Sequence, residues 1–224
     1  MTPTDLTAEK SPIADSGSTR GRKVSISRDD IISAALTLIG PNRSVSTLSL
    51  REVAREAGVA PNSFYRHFHD MDELAIALIE LAGSSLRGII GEARHRATAE
   101  RSVVRSSVEA FMEQLNADDK LLHMLLREGT AGSDAFKQAV EKQLGFFEEE
   151  LQADLVRLAA HNKTGLYEPA LTAKAITRLV VAIGATAMDL PPEQRASATE
   201  QLAVMVRMIV VGSQTMAASG QVRI

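Results

Sequence analysis

Residues 48–68 read LSLREVAREAGVAPNSFYRHF, and this stretch decides the fold. Ser49 and Glu52 are spaced for a capping box, in which hydroxyl and carboxylate each take a backbone N–H that a helix start leaves orphaned. The helix that follows offers Leu50, Val53, Ala54 and Ala57 to a core. It stops at Gly58, a residue free to adopt the left-handed conformation of a sharp turn. Val59 plugs that turn, and Pro61 opens a second short helix over 61–67, where a first-turn proline loses no hydrogen bond. Small Ala54 and Ala57 let the two helices cross closely, while Phe64 and Phe68 anchor the second from beneath. The result is a helix-turn-helix. Its outward side carries Asn62, Ser63 and Arg66, with the reach for base edges in a major groove, and Tyr65 and His67, placed to donate to phosphate. Pro61 at the start of the second helix, and Ser49 and Leu50 at the start of the first with its free N–H groups, complete the expected DNA-facing set.

Before this stretch, Ser27 with Asp30 caps a first helix striped by Ile31, Ala35 and Leu38, with Ile32 and Ile39 alongside, and Gly40-Pro41-Asn42 ends it. After it, Asp70 with Glu73 repeats the box and starts a long helix to about Arg96, striped at Leu74, Leu78, Leu81 and Ser85. Further helices are expected near 101–116, 118–127, 134–161, 172–189 and 193–217, with Pro191-Pro192 between the last two. The 134–161 segment has a continuous stripe of Phe136, Val140, Leu144, Phe147, Leu151, Leu155 and Leu158. Beta-branched residues form no alternating runs, so the fold class is all-α. The expected division is a disordered basic arm over 1–24, a helix-turn-helix domain over 25–72 with a connecting helix 70–96, and an effector-binding and dimerisation domain over 73–217.

The chain of 224 residues is 45% hydrophobic, enough for a sizeable core. It has no cysteine, which excludes disulfides, zinc fingers and thiol nucleophiles. No uninterrupted apolar run approaches ~18 residues, and the first thirty residues are polar, so neither a membrane span nor a signal peptide is expected, and the cytoplasm is the default. The net charge of −3 is uneven: residues 20–69 carry +4, residues 70–224 carry −5. A basic start that includes Arg20, Arg22, Lys23 and Arg28, set on an acidic body, suits a protein that meets phosphate at one end only.

The helix-turn-helix, ending in the aromatic element Phe64-Tyr65-Arg66-His67-Phe68 and leading straight into a long helix, resembles the DNA-binding domain of the TetR family. SLREVAREAG, the following P-x-SFYRHF, and Asp70-Met71-Asp72-Glu73-Leu74 resemble more narrowly the repressors of unsaturated fatty acid synthesis, FabR and DesT, as does Leu125-Leu126-Arg127-Glu128. Most of the TetR family has a lysine just after the recognition helix; this chain has Met71, as that subgroup also lacks the lysine. The resemblance implies a TetR-like fold and a homodimer on a palindromic double-stranded operator. It also implies a repressor of fatty acid or lipid genes, answering an acyl thioester on coenzyme A or acyl carrier protein, with no cofactor otherwise. A TetR-type repressor answering another hydrophobic molecule, on an efflux or catabolic operon, is the alternative.

Phe111, Met112, Leu115, Met124, Phe136 and Phe147 are candidates for an alkyl tunnel, with Arg127 near its polar end; at helical spacing the same residues also suit plain core, and Arg127 also suits a cation at a helix C-terminus. Ile176, Val180, Ile183 and Ala187, with Leu202, Met205 and Ile209, are the expected dimer interface, where small Ala182, Gly184, Ala185 and Gly212 would admit a partner helix. His67 and His69 sit two apart on a helix end and do not face one another, so no metal site is expected. No nucleophile elbow, phosphate loop or acid–base dyad is present, which speaks against an enzyme.

Overall fold

The computed structural model describes residues 26–39, 43–96, 103–117 and 120–220, and all regular structure among them is helical. The arm containing Arg20, Arg22 and Lys23, and the Gly40-Pro41-Asn42 break, lie outside the described residues. Arg28–Leu38 (α1), Leu50–Glu56 (α2) and Pro61–Phe64 (α3) make the N-terminal unit, with a 3-10 turn, Val45–Thr47, between the first two. Both expected capping boxes form, Ser27 with Asp30 and Ser49 with Glu52. Gly58 adopts φ 68°, as the turn requires. The α-helical register of α3 ends at Phe64 rather than at His67. Beyond it the chain tightens, and the N–H groups of His67 and Phe68 both return to the Phe64 carbonyl. Phe64 and Phe68 are fully buried, their rings 5.6 Å apart.

Met71–Arg96 (α4) belongs to both halves of the molecule. Its start differs from the expected box: Asp70 accepts the Glu73 N–H, but the Glu73 carboxylate accepts from His69, one residue earlier. The expected stripe also departs after Leu78. Leu81 is 40% exposed and Ser85 is exposed; Ala82, Leu86 and Ile90 are buried instead. A ridge at strict four-residue spacing winds around a 3.6-residue helix, so the buried face turns from α1 and the 3-10 turn toward the helices of the C-terminal body.

That body comprises Val103–Asn116 (α5), Lys120–Ala131 (α6), Asp134–His161 (α7), Pro169–Ala187 (α8) and Pro192–Ala218 (α9). α7 lies along α4 and approaches so closely that a Cβ at Gly83 would stand 2.5 Å from the Gln143 amide oxygen. α8 and α9 form a hairpin clamped at both ends. The Arg195 guanidinium donates to the carbonyls of Ala187, Met188 and Leu190 at the end of α8. At the other end, the Thr172 and Ser213 hydroxyls both donate to the Tyr167 carbonyl.

Three of the expected dimer residues, Ile176, Ala187 and Leu202, are buried within the chain itself, because α8 also packs on α5, α6 and α7, and α9 on α5. Gly184 does not await a partner helix either: it admits Phe111 of α5, whose ring would lie 2.5 Å from a Cβ there. Val180, Ile183, Met205 and Ile209 are half-buried at the margin. The exposed apolar side chains of this hairpin are others: Leu171, Val204, Met208 and Val211, each 48% exposed or more. α4, α8 and α9 are long and apolar enough, by length and composition, to cross a membrane. In α4 the apolar residues are spent on the interior; in α8 and α9 much of the apolar surface faces outward.

Gly184→Ala is expected to destabilise the chain by ~1–3 kcal/mol through overpacking against Phe111. Gly88→Ala, in the same kind of helix interior with nothing nearby, should stabilise by ~0.5–1 kcal/mol through helix propensity. Denaturant melts of the two variants check the contrast; equal signs would contradict this packing.

Candidate functional site

The helix-turn-helix presents a continuous exposed edge. Ser49, Pro61, Asn62 and Arg66 are exposed, and Leu50, Ser63 and His67 are half-exposed. Tyr65 is 61% exposed, its ring standing edge-on to buried Phe64 with centroids 5.8 Å apart, so the hydroxyl is carried outward on a fixed base. Eight of the nine expected DNA-facing residues are thus exposed or half-exposed; the ninth, Arg22, lies outside the described residues. Arg28 is held differently from the arm: its guanidinium lies over the Phe68 ring, 4.6 Å from the centroid.

The N-terminus of α2 is reinforced from behind. Arg43 donates to both carboxylate oxygens of Glu52 at 3.1 Å, and to the Thr47 carbonyl. The Ser49 hydroxyl and N–H, and then Arg43, hold the Glu52 carboxyl below its ordinary range. The Glu73 N–H does the same for Asp70, and the Ser27 N–H for Asp30. A carboxylate with a lowered folded pKa helps the fold above its unfolded pKa, and that help is lost as pH falls through the folded value, here in the acid range.

Behind the helix-turn-helix, α4 to α9 line a partly open cavity of about 120 Å³, its lining almost entirely apolar. Leu86 and Ile90 of α4, Phe111 of α5, Leu125 and Leu126 of α6, and Leu144, Phe147 and Leu151 of α7 form most of its wall. The long stripe of α7 faces this space rather than a solid core, which is why Leu144, Phe147, Leu151 and Leu158 are only half-buried by protein. Of the expected tunnel residues, Phe111 and Phe147 line the cavity. Met112, Leu115, Met124 and Phe136 do not; all are buried in solid packing on other helix faces. Ile176 and Val180, expected at a dimer interface, line the cavity instead.

The polar end of the cavity is not at Arg127, which does not reach the wall. It is formed by Arg94 with Asp154; Gln143, Thr177 and Ser107 are the other polar groups of the lining among the described residues. The Arg94 side chain is 7% exposed and pairs with both Asp154 and Glu150. Arg87 donates to Gln143 at 2.6 Å and pairs with Glu150. An Asp falling on the buried side of α7 was the sequence signal for this end, and Arg94 was hidden in a run of basic residues at the close of α4.

A second junction escaped sequence reasoning. Glu128 of α6 is 1% exposed, and its carboxylate accepts from the Ser44 hydroxyl at 2.6 Å and the Val45 N–H at 2.9 Å. It joins the C-terminal body to the 3-10 turn ahead of α2.

Residues 31–78, which span α1 through the start of α4, match the family model described as bacterial regulatory proteins, tetR family. The whole arrangement of helices also recurs in solved structures. A transcriptional regulator from Rhodococcus sp. Rha1 aligns with a TM-score of 0.67 at 19% identity, over 84% of this chain and 98% of that one. Residues 31–78 thus carry the DNA-binding segment typical of tetR-family regulators, and the chain shares their fold. Other TetR-fold relatives include a TetR-family transcriptional regulator from Pectobacterium atrosepticum, TM-score 0.66 at 15% identity over 84% and 93% of the two chains. The fatty acid degradation regulator FadR from Bacillus halodurans aligns at 0.64 and 18% identity, over 83% and 95%. At these identities the likeness to solved TetR-type structures is one of fold. The segment that the family model matches is the part of the chain that carries the exposed residues between Ser49 and His67.

Proposed function

We propose that this TetR-type regulator binds a palindromic operator as a homodimer and releases or tightens its grip when an apolar effector fills the cavity between α4 and α9. The observation that carries the reading is the pairing of accessible recognition residues with a partly open apolar cavity, with α4 packed against both. Asn62, Ser63 and Arg66 read base edges, while Tyr65, His67 and the N-terminus of α2 at Ser49 and Leu50 hold phosphates. The dimer forms on the outward face of α8 and α9, where Leu171, Val204, Met208 and Val211 stand exposed.

The finer reading is control of fatty acid or lipid genes by a long-chain acyl thioester. It is supported by the FabR- and DesT-like motif, by the apolar wall, and by the fold shared with a fatty acid degradation regulator. Each methylene buried from water contributes ~0.8 kcal/mol. Arg94 already has two carboxylate partners, so the polar end suits an uncharged carbonyl, such as that of a thioester, better than a free carboxylate.

Tyr65→Phe should weaken binding to all duplexes alike, whereas Arg66→Ala should relax discrimination at one or two operator positions by ~1–3 kcal/mol each. Gel retardation against single-base operator variants separates the two; a Tyr65→Phe effect confined to sequence preference contradicts the assignment. Met208→Glu should give a folded monomer with little operator affinity, since it sets a charge into the apolar face of the dimer. Sedimentation of an intact dimer would place the interface elsewhere. Palmitoyl-CoA and palmitoleoyl-CoA titrated onto the protein–operator complex should shift operator affinity by ~5–150-fold. Indifference to both would leave a TetR-type regulator of another hydrophobic effector.

A further inference from the structure

Glu128 is buried in a way that side chains of its kind are not unless something holds them. One carboxylate oxygen takes two hydrogen bonds from Ser44 and Val45, and the other, also buried, takes none. Gly132 lies close beside it. A Cβ on Gly132 would stand 2.8 Å from that second oxygen and 2.5 Å from the Glu128 carbonyl oxygen. A carboxylate under these conditions is costly to bury, and its bonds to the 3-10 turn are the compensation.

The bonds do not end at the turn. The Thr47 hydroxyl donates to the Ser44 carbonyl at 2.7 Å. Arg43 ties Thr47 to Glu52, and Glu52 closes the capping box on Ser49. An unbroken set of hydrogen bonds thus runs from α6 to the N-terminus of α2, the end that offers its N–H groups outward. On α6 itself, Leu125 and Leu126, less than one turn before Glu128, line the cavity.

We propose that Glu128 is a positioning residue for DNA recognition: it latches α6 to the 3-10 turn and so fixes where α2 presents its N-terminus to the duplex. The assignment rests on the DNA reading of the helix-turn-helix given above. It makes α6 a second attachment between the two halves, separate from α4, and one whose anchor is polar and directional.

The test uses the full-length chain and an operator selected by the wild-type protein from random duplex DNA. Affinities for that operator and for an unrelated duplex are measured side by side for E128A, E128Q and S44A. E128A should lose about tenfold or more on the operator while binding the unrelated duplex as the wild type does, since only the geometry of the recognition unit has changed. E128Q keeps an acceptor oxygen for Ser44 and Val45 and should recover part of the loss. S44A removes one donor of two and should lose less than E128A. Wild-type operator affinity in E128A, or an equal loss on both duplexes, overturns the proposal. If E128A does not fold, E128Q and S44A decide, and wild-type operator affinity in both overturns it. A wild-type chain that selects no sequence at all contradicts the DNA reading instead, and is distinguishable from either result.

Discussion

The four-residue ridge of α4 is the constraint on which the rest of the molecule depends. Leu74 and Leu78 are wholly buried beside the helix-turn-helix, and Leu86 and Ile90 are buried beside the cavity. From Leu74 to Ile90 the helix rises about 24 Å without a break. A rod held at both ends transmits displacement, because packed interiors resist local compression. The cavity wall and the N-terminal unit are therefore packed against one and the same helix. Near its middle the same helix comes so close to α7 that Gly83 leaves room for the Gln143 side chain.

Seen from the cavity, the chemistry is simple. Among the described residues its wall is apolar, its buried cation Arg94 is paired twice over, and its remaining polar groups are neutral or already engaged. Such a space gains free energy by excluding water from an apolar guest and offers little to a charged one. A guest changes DNA affinity only by the difference between its binding to two arrangements of the surrounding helices. α4, α6 and α7 all contribute wall, and α4 and α6 also touch the N-terminal unit. Those two helices are the contacts that connect the cavity wall to the N-terminal unit.

The helix-turn-helix was legible in the sequence because its signals are local. Ser27 with Asp30, Ser49 with Glu52, Gly58 and Pro61 each act within a few residues, and each does in the structure what its chemistry dictates. The C-terminal half was legible as helices and not as surfaces. α8 and α9 are apolar on more than one side, so periodicity could not say which side turns inward. Ile176, Ala187 and Leu202 turned inward, and Val204, Met208 and Val211 outward. The tunnel residues failed for a related reason. Met112, Leu115, Met124 and Phe136 differ from Phe111 and Phe147 only in which helix face they occupy, and only the crossing angles of five helices decide whether a face meets another side chain or a void. Glu128 was visible only as part of a family-like motif, since nothing in its neighbours marks a glutamate that will be buried.

The absence of cysteine makes one measurement direct. A spin label at Asn62→Cys, on the exposed start of α3, reports the separation of the two recognition helices across the dimer by pulsed electron–electron resonance. The account predicts a single well-defined distance in the ligand-free protein and a different one when palmitoyl-CoA is bound. No inter-subunit distance at all, or the same distance with the cavity filled, would contradict the claim that α4 joins cavity and recognition edge into one mechanical unit.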